Sequence, residues 1–181
     1  MRSLQAWWTA VRESLAGRRA GSAGESTSAL QQVLRRYQSG ERDFAGIRLK
    51  KRDDLVGIDL RGADLTGSDL SGSNLAKARL DGACLRFADL RGARLYEASL
   101  RDTDLRRANL TAANLLLTNL QGADLTGADV SDAALAAAYS LEGASMPDGT
   151  RYDQDSQARL QEASLEQARE RLDAQVRDRG L

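Results

Sequence analysis

A leucine recurs at every fifth residue through the middle of this 181-residue chain. From Leu55 to Leu135 the spacing holds for 17 consecutive positions, and all but Val130 are leucine. Two places before each of these positions stands Ala at 11 of the 17, one place before stands Asp or Asn at 12, and two places after stands Gly at 8. The whole chain has 28 Leu against 7 Ile and Val combined, whereas ordinary sheets favour β-branched residues. A unit of five residues therefore governs the middle of the chain.

A period of five matches neither the 3.6-residue turn of an α-helix nor the two-residue alternation of a strand. A chain that bends once in every five residues can nevertheless keep all the leucines inside. The small residue two places earlier then fills the space that the leucine leaves. Asp or Asn between them points outward and can hydrogen-bond to the backbone at the bend, while glycine supplies the freedom that a tight turn needs.

The stretch GADLTGSDLSGSNLAKARLDGACLRFADL closely resembles the pentapeptide-repeat family, whose consensus is A(D/N)LXX. This resemblance implies an all-β solenoid, a right-handed quadrilateral β-helix with four pentads in each coil. Residues twenty apart should then stack on the same side. The stretches YQSGERDF and MPDGTRYD, which flank the repeat, resemble those of cyanobacterial members of the family.

The repeat continues past both of its ends after one extra residue. Five-residue steps join Phe44 to Leu49 and Leu141 to Met146, but each pair lies six residues from the regular repeat. We interpret the extra residues as single insertions into one solenoid of 21 pentads. With about five coils at a spacing of roughly 4.8 Å, the rod would be about 25 Å long.

Helices are predicted at both ends of the rod, where they would cover the open edges of the solenoid. Apolar residues at helical spacing predict a helix over residues 3–16, a second over 28–38 and a third over 156–177. The predicted organisation has three parts: N-terminal helices and linker (1–40), the β-helix (41–147), and a C-terminal turn and helix (148–181).

The first of these helices carries Trp7 and Trp8 in a segment rich in basic residues. Three interpretations stay open: it packs on the rod, it packs on a second chain, or it lies on a membrane surface. Arg12 and Glu13 interrupt the apolar stretch and argue against a secretory signal, and a single cysteine fits a reducing compartment. We therefore expect a cytoplasmic protein.

One outward column breaks the polar pattern and is the candidate partner surface. Stacking by twenty places Ala76, Tyr96, Leu116 and Ala136 in one column, with Leu117 and Ala137 beside them. Outward leucines on a soluble rod indicate a covering element, either a terminal helix of the same chain or another protein. The candidate surface consists of Tyr96, Leu116, Leu117, Ala136 and Ala137.

Two outward columns carry charge instead. Arg61, Asp81 and Arg101 are expected to form a surface ladder of ion pairs. A candidate anion cluster, able to hold a phosphate or a partner's carboxylates, consists of Arg86, Arg91, Arg106 and Arg107. Cys84 lies in an outward column and is expected to be an accessible thiol with no redox role.

The chain has no histidine, no phosphate-binding loop and no nucleophile elbow. We therefore expect no catalytic residue, no bound metal and no cofactor. The leading interpretation is a noncatalytic protein-protein interaction or scaffold module, with an unidentified protein or a second copy as partner. The alternative comes from the family, some of whose members mimic duplex DNA and inhibit DNA gyrase. The two freer outward columns hold seven basic groups against four acids, unlike the acidic surface that DNA mimicry needs. Gyrase inhibition is therefore disfavoured, and nucleic acid is not an expected partner.

Overall fold

The computed structural model describes residues 29–49 and 55–178. Within these, the chain winds into a four-sided coil in which one residue of each pentad forms a parallel bridge to the coil above or below. Asp64 pairs with Cys84, Cys84 with Asp104, and Asp104 with Asp124. The twenty-residue step confirms four pentads per coil. The sheet is reduced to isolated one-residue bridges along each side, because every pentad bends before a longer strand can form.

The register at both ends of the coil confirms the two predicted insertions. Asp43 pairs with Asp64 at the first end, and Asn119 pairs with Ser140 at the last, each across 21 residues instead of twenty. Helix α2, Asp132–Ala136, accommodates the second extra residue. Its first turn is capped by the Ser131 hydroxyl, which accepts a hydrogen bond from the Ala134 N–H. This short helix was not predicted from the sequence.

Most described corners are β-turns closed by a hydrogen bond between residues three apart, such as Ala63 N–H to the Leu60 carbonyl at 3.1 Å. The residue two places after the leucine has a positive φ, as at Gly62 (65°), which matches a type II turn. Seven corners hold a side chain in this left-handed conformation: Lys77, Phe87, Glu97, Asp102, Arg107, Ala112 and Leu117.

The core is the inner leucine column. From Leu55 to Leu125 each of its leucines is at most 2% exposed. The outward Asp and Asn residues bond to the backbone at the bends, as predicted. The Asp64 carboxylate accepts the Thr66 N–H at 2.9 Å, and the same bond recurs along the rod. Where Thr118 replaces alanine in the inner small-residue column, its hydroxyl donates to the Leu95 carbonyl at 2.7 Å, so a buried polar group is satisfied.

Helix α1, Ala29–Gln38, closes the first end of the coil. Its Val33 is 1% exposed, and its Tyr37 hydroxyl donates to the Arg61 carbonyl at 2.9 Å. The Tyr37 and Phe44 rings lie 6.3 Å apart. These contacts place α1 against the first coil. The helix predicted over residues 3–16, and with it the question of Trp7 and Trp8, lies outside the described residues.

Helix α3, Gln154–Asp178, closes the other end. Asp153 begins it by accepting the Ser156 N–H at 2.8 Å. Leu160 is 3% exposed where α3 packs against α2. Beyond this point, nearly every residue up to 175 is exposed. Within the two described ranges, no helix has the length and apolar character needed to cross a membrane.

Candidate protein-binding surface

The outward leucines lie at one corner of the coil, which we call the apolar corner: Val56, Ala76, Tyr96, Leu116, Leu117 and Ala137. Backbone hydrogen bonds tie its successive levels together. Lys77 N–H donates to the Tyr96 carbonyl at 2.8 Å, and Glu97 N–H donates to the Leu116 carbonyl at 3.1 Å. The predicted stacking of Ala76, Tyr96 and Leu116 is therefore confirmed.

The last level of the apolar corner departs from the twenty-residue count. Leu117 N–H donates to the Ala137 carbonyl at 2.9 Å, where a regular step would place Ala136. The prediction that Ala136 stacks in the Leu116 column was therefore wrong. The physical reason is α2, which takes up the extra residue and holds Ala136 near Leu160 of α3.

The apolar corner is accessible among the described residues. Leu116 is 46% exposed, Leu117 is 44% exposed and Val56, which the sequence reasoning missed, is 39% exposed. Neither α1 nor α3 covers it, so the expected docking of a described terminal helix at this place is not seen. Side chains of this size usually remain exposed together only where a surface has a partner.

One edge of the apolar corner is polar. The Lys77 ammonium lies 3.5 Å from the Glu97 carboxylate. A hydrogen bond with the Tyr96 hydroxyl lowers the pKa of Glu97, and the same bond raises the pKa of Tyr96. Tyr96 is half-buried at this edge, beside the ion pair of Lys77 and Glu97. An apolar strip with a charged border is the usual anatomy of a protein interface.

Apart from Phe87, the side chains at the other corners are mostly polar, and their shortest ion pairs lie within one pentad. Arg61 pairs with Asp59 at 2.8 Å, two residues earlier in the same pentad. Asp81 instead accepts the Arg101 N–H at 3.3 Å. The expected ladder of ion pairs between Arg61, Asp81 and Arg101 was therefore wrong, because Asp59 pairs with the Arg61 guanidinium and the Ser99 hydroxyl donates to the Asp81 carboxylate.

The arginines of the candidate anion cluster divide between two corners. The Arg106 guanidinium donates two hydrogen bonds to the Asp104 carboxylate, at 2.8 and 2.5 Å, and these lower the pKa of Asp104. Arg91 pairs with Asp89 on the next side at 2.6 Å. These guanidinium groups therefore already hold carboxylates of their own chain.

The remaining two arginines of that cluster flank an aromatic ring. Arg86 and Arg107 lie 5.5 and 5.8 Å from the centre of the Phe87 ring, within the range of cation-π contacts. Phe87 is 49% exposed and occupies a left-handed corner. No sequence pattern predicted this contact, because Phe87 stands in a column where different residue types adopt a positive φ.

Cys84 is half-buried, with its sulfur 3.2 Å from the Thr66 hydroxyl. The described residues contain no group of three acidic or cysteine side chains placed to hold a metal ion. A cleft of about 220 Å³ opens between the last coil and α3, lined by Tyr139, Tyr152 and Leu160 among others. Within the described ranges its lining carries tyrosine hydroxyls and glutamine amides but no charged side chain.

The repeat agrees with a known family of proteins. The family model for pentapeptide repeats matches with eight copies, over residues 54–92, 88–127 and 103–139. This chain belongs to the pentapeptide-repeat family. Proteins of this family are generally structural or binding modules. None of the functionally curated proteins matches the chain.

Several solved pentapeptide repeat proteins are similar to it. One, from the thylakoid lumen of Arabidopsis thaliana, is 33% identical over 54% of this chain, which covers 63% of that protein, with a TM-score of 0.44. Rfr23 from the cyanobacterium Cyanothece 51142 is 27% identical over 68% of this chain and 99% of its own, with a TM-score of 0.44. One from Nostoc is 35% identical over 56% of this chain and 84% of its own, with a TM-score of 0.33.

Proposed function

We propose that this chain is a noncatalytic protein-binding module, built on a right-handed four-sided β-helix, that presents the apolar corner to a protein partner. The observation that carries the proposal is the exposure of Leu116 and Leu117 at 46% and 44%. The preceding residue, Leu115, is 1% exposed and already fills the core. The two outward leucines are therefore not needed to hold the coil together.

The energetics favour a partner for this surface. Exposed apolar area is unfavourable in water at roughly 25 cal/mol per Å², so covering the corner releases free energy. The corner is also rigid, since each level is tied to the next by backbone hydrogen bonds. A rigid apolar strip loses little conformational entropy on binding, which leaves more of the burial energy for affinity.

The charges favour a protein partner over the DNA-mimicry alternative. A DNA-like surface needs rows of unpaired negative charge. Here the outward carboxylates of Asp59, Asp89 and Asp104 are each paired with an arginine of the same pentad. Pairing of these three carboxylates interrupts the negative charge along the rod, which argues against a regular DNA-like field.

The test is the double substitution Leu116→Asp and Leu117→Asp, with Thr111→Asn and Ala112→Asp at the neighbouring corner as the control. Ala112 and Leu117 have φ of 57° and 59°, so the aspartates at positions 112 and 117 enter equivalent corners of neighbouring sides. Affinity capture from the cell that makes the protein should recover a partner with the original chain and the control, but not with the double aspartate.

Two results would contradict the proposed binding function of the apolar corner. One is capture of the same proteins by all three chains, which would place their binding elsewhere. The other is a large loss of stability in the double aspartate without loss of any partner, measured by urea unfolding. That second result would mean that the leucines support the fold and do not bind.

A further inference from the structure

Helix α3 uses only one of its faces to hold the rod. Ser156 and Leu160 are 6% and 3% exposed where the helix begins, whereas Leu165 and Leu172 are 72% and 60% exposed. At 100° per residue, Leu165 lies about 140° around the helix from Leu160. The helix therefore has a docking face and, nearly opposite, an apolar face with no cover among the described residues.

The uncovered face has the spacing of a coiled-coil seam. Leu165, Ala168 and Leu172 stand three and four residues apart, as at the a, d and a positions of successive heptads. We call these three residues the α3 seam. A seam that alternates a large and a small side chain packs best when leucine meets alanine across the interface, and two identical helices achieve this only when they run antiparallel.

Charges beside the seam favour the same orientation. Glu162 and Arg169 are one heptad apart on a single edge, both are exposed, and neither makes a salt bridge within the described part of the chain. In an antiparallel pair that sets Leu165 against Ala168 of the other copy, Glu162 faces the other copy's Arg169, and this pairing occurs twice. In a parallel pair the same groups would face Gln157 and Ser164, which carry no charge.

We propose that the α3 seam binds a second copy of this chain, with the two α3 helices antiparallel. A second copy is the expected partner because of this charge complementarity. An edge with a negative and a positive side chain one heptad apart complements itself across a two-fold axis. The interface lies at the end of the rod and uses none of the apolar corner. It is therefore separate from the proposed partner surface, and the full assembly would present two apolar corners.

Charge reversal in the full-length chain tests the proposal by sedimentation equilibrium. We expect a species of twice the 19.6 kDa chain mass at high protein concentration. Arg169→Glu and Glu162→Arg should each weaken the association constant by about tenfold, because each places like charges together twice. The double variant that exchanges the two charges should restore it. Glu170→Arg, which lies off the seam, is the matched control and should leave it unchanged.

The outcomes separate this proposal from the proposed function. A chain that stays monomeric at every concentration overturns the pairing and leaves the apolar corner untouched. The proposal is also overturned if the double variant with exchanged charges fails to restore dimer formation. A dimer that Leu116→Asp with Leu117→Asp converts to monomer overturns it too, because that result would move the contact to the apolar corner. Far-ultraviolet circular dichroism of each variant checks that α3 remains helical.

Discussion

Three consecutive leucines of this chain lie in two different environments. Leu115 is 1% exposed and belongs to the inner column, whereas Leu116 and Leu117 are 46% and 44% exposed and belong to the apolar corner. They share one residue type and one coil. Position within the pentad therefore decides burial, and side-chain hydrophobicity alone does not.

The contrast separates what holds the rod from what the rod can bind. The inner column is fixed by close packing, where a lost methyl group leaves a cavity. The outer columns need only a backbone that can turn, so their side chains are free to differ from corner to corner. A repeat protein of this kind can thus change its surface without changing its fold.

The largest effect should come from the inner column. Leu115→Ala should lower the free energy of unfolding by roughly 2–5 kcal/mol, because it opens a cavity in a stacked layer. Leu116→Ala, one residue later, should change it by less than about 0.5 kcal/mol, as a surface substitution. Urea unfolding midpoints of the two variants measure the difference. Equal costs would show that the assigned register is wrong.

A smaller effect is expected at the turns. Gly82 has a φ of 66° and open space around it, so Gly82→Ala should cost about 1–2 kcal/mol from the left-handed backbone alone. A Cβ at Gly122 would also meet the Asp102 carboxylate, which would have to turn aside, so Gly122→Ala should cost slightly more. Thermal unfolding measures both variants. A smaller loss of stability in Gly122→Ala than in Gly82→Ala would contradict this expectation.

The hydrogen bonds of the outward column should contribute about 1 kcal/mol each. At the apolar corner, the Asn114 side-chain carbonyl accepts the Leu116 N–H at 3.0 Å. Asn114→Ala should therefore destabilise by about that amount, while Asn114→Asp, which keeps the acceptor, should cost less. Hydrogen exchange at the Leu116 amide reads the local effect. Unchanged exchange in Asn114→Ala would show that the bond is not formed in solution.

The smallest effect should be a pH dependence at a charged corner. Arg106 lowers the pKa of Asp104, so the folded state binds this proton less readily than the unfolded chain. The resulting stabilisation is present above the ordinary aspartate pKa of about 3.9 and is lost as the pH falls through the lower folded value. The stability difference between the original chain and Asp104→Asn should therefore narrow from pH 7 to pH 3. A constant difference would contradict the ion pair.

The sequence predicted much of this architecture for a physical reason. Leucine spacing, small inner residues and outward Asp or Asn all express the same five-residue bend, so they specify the coil and even its one-residue insertions. The sequence did not predict α2, since Leu135 keeps its place in the leucine pattern while the backbone around it becomes helical. That local change also displaced Ala136 from the column where counting by twenty had placed it.

The surface was harder to predict than the core. Counting by twenty found the stacked apolar residues but omitted Val56, and it paired Arg61 with the next coil when its partner, Asp59, lies within its own pentad. Counting placed Arg86 and Arg107 in the candidate anion cluster, but it did not predict that they flank the Phe87 ring. Contacts at the corners depend on side-chain reach, and a repeat that constrains only the backbone does not encode them.

Site-specific photocrosslinking in the native cell shows whether the apolar corner contacts a partner protein. A photoreactive amino acid is placed at position 116 in one chain and at position 111, the equivalent site on the neighbouring corner, in another. The account predicts covalent adducts to a partner protein from position 116 and none from position 111. Adducts of equal yield from both positions, or none from position 116, would contradict the claim that the apolar corner is a binding surface.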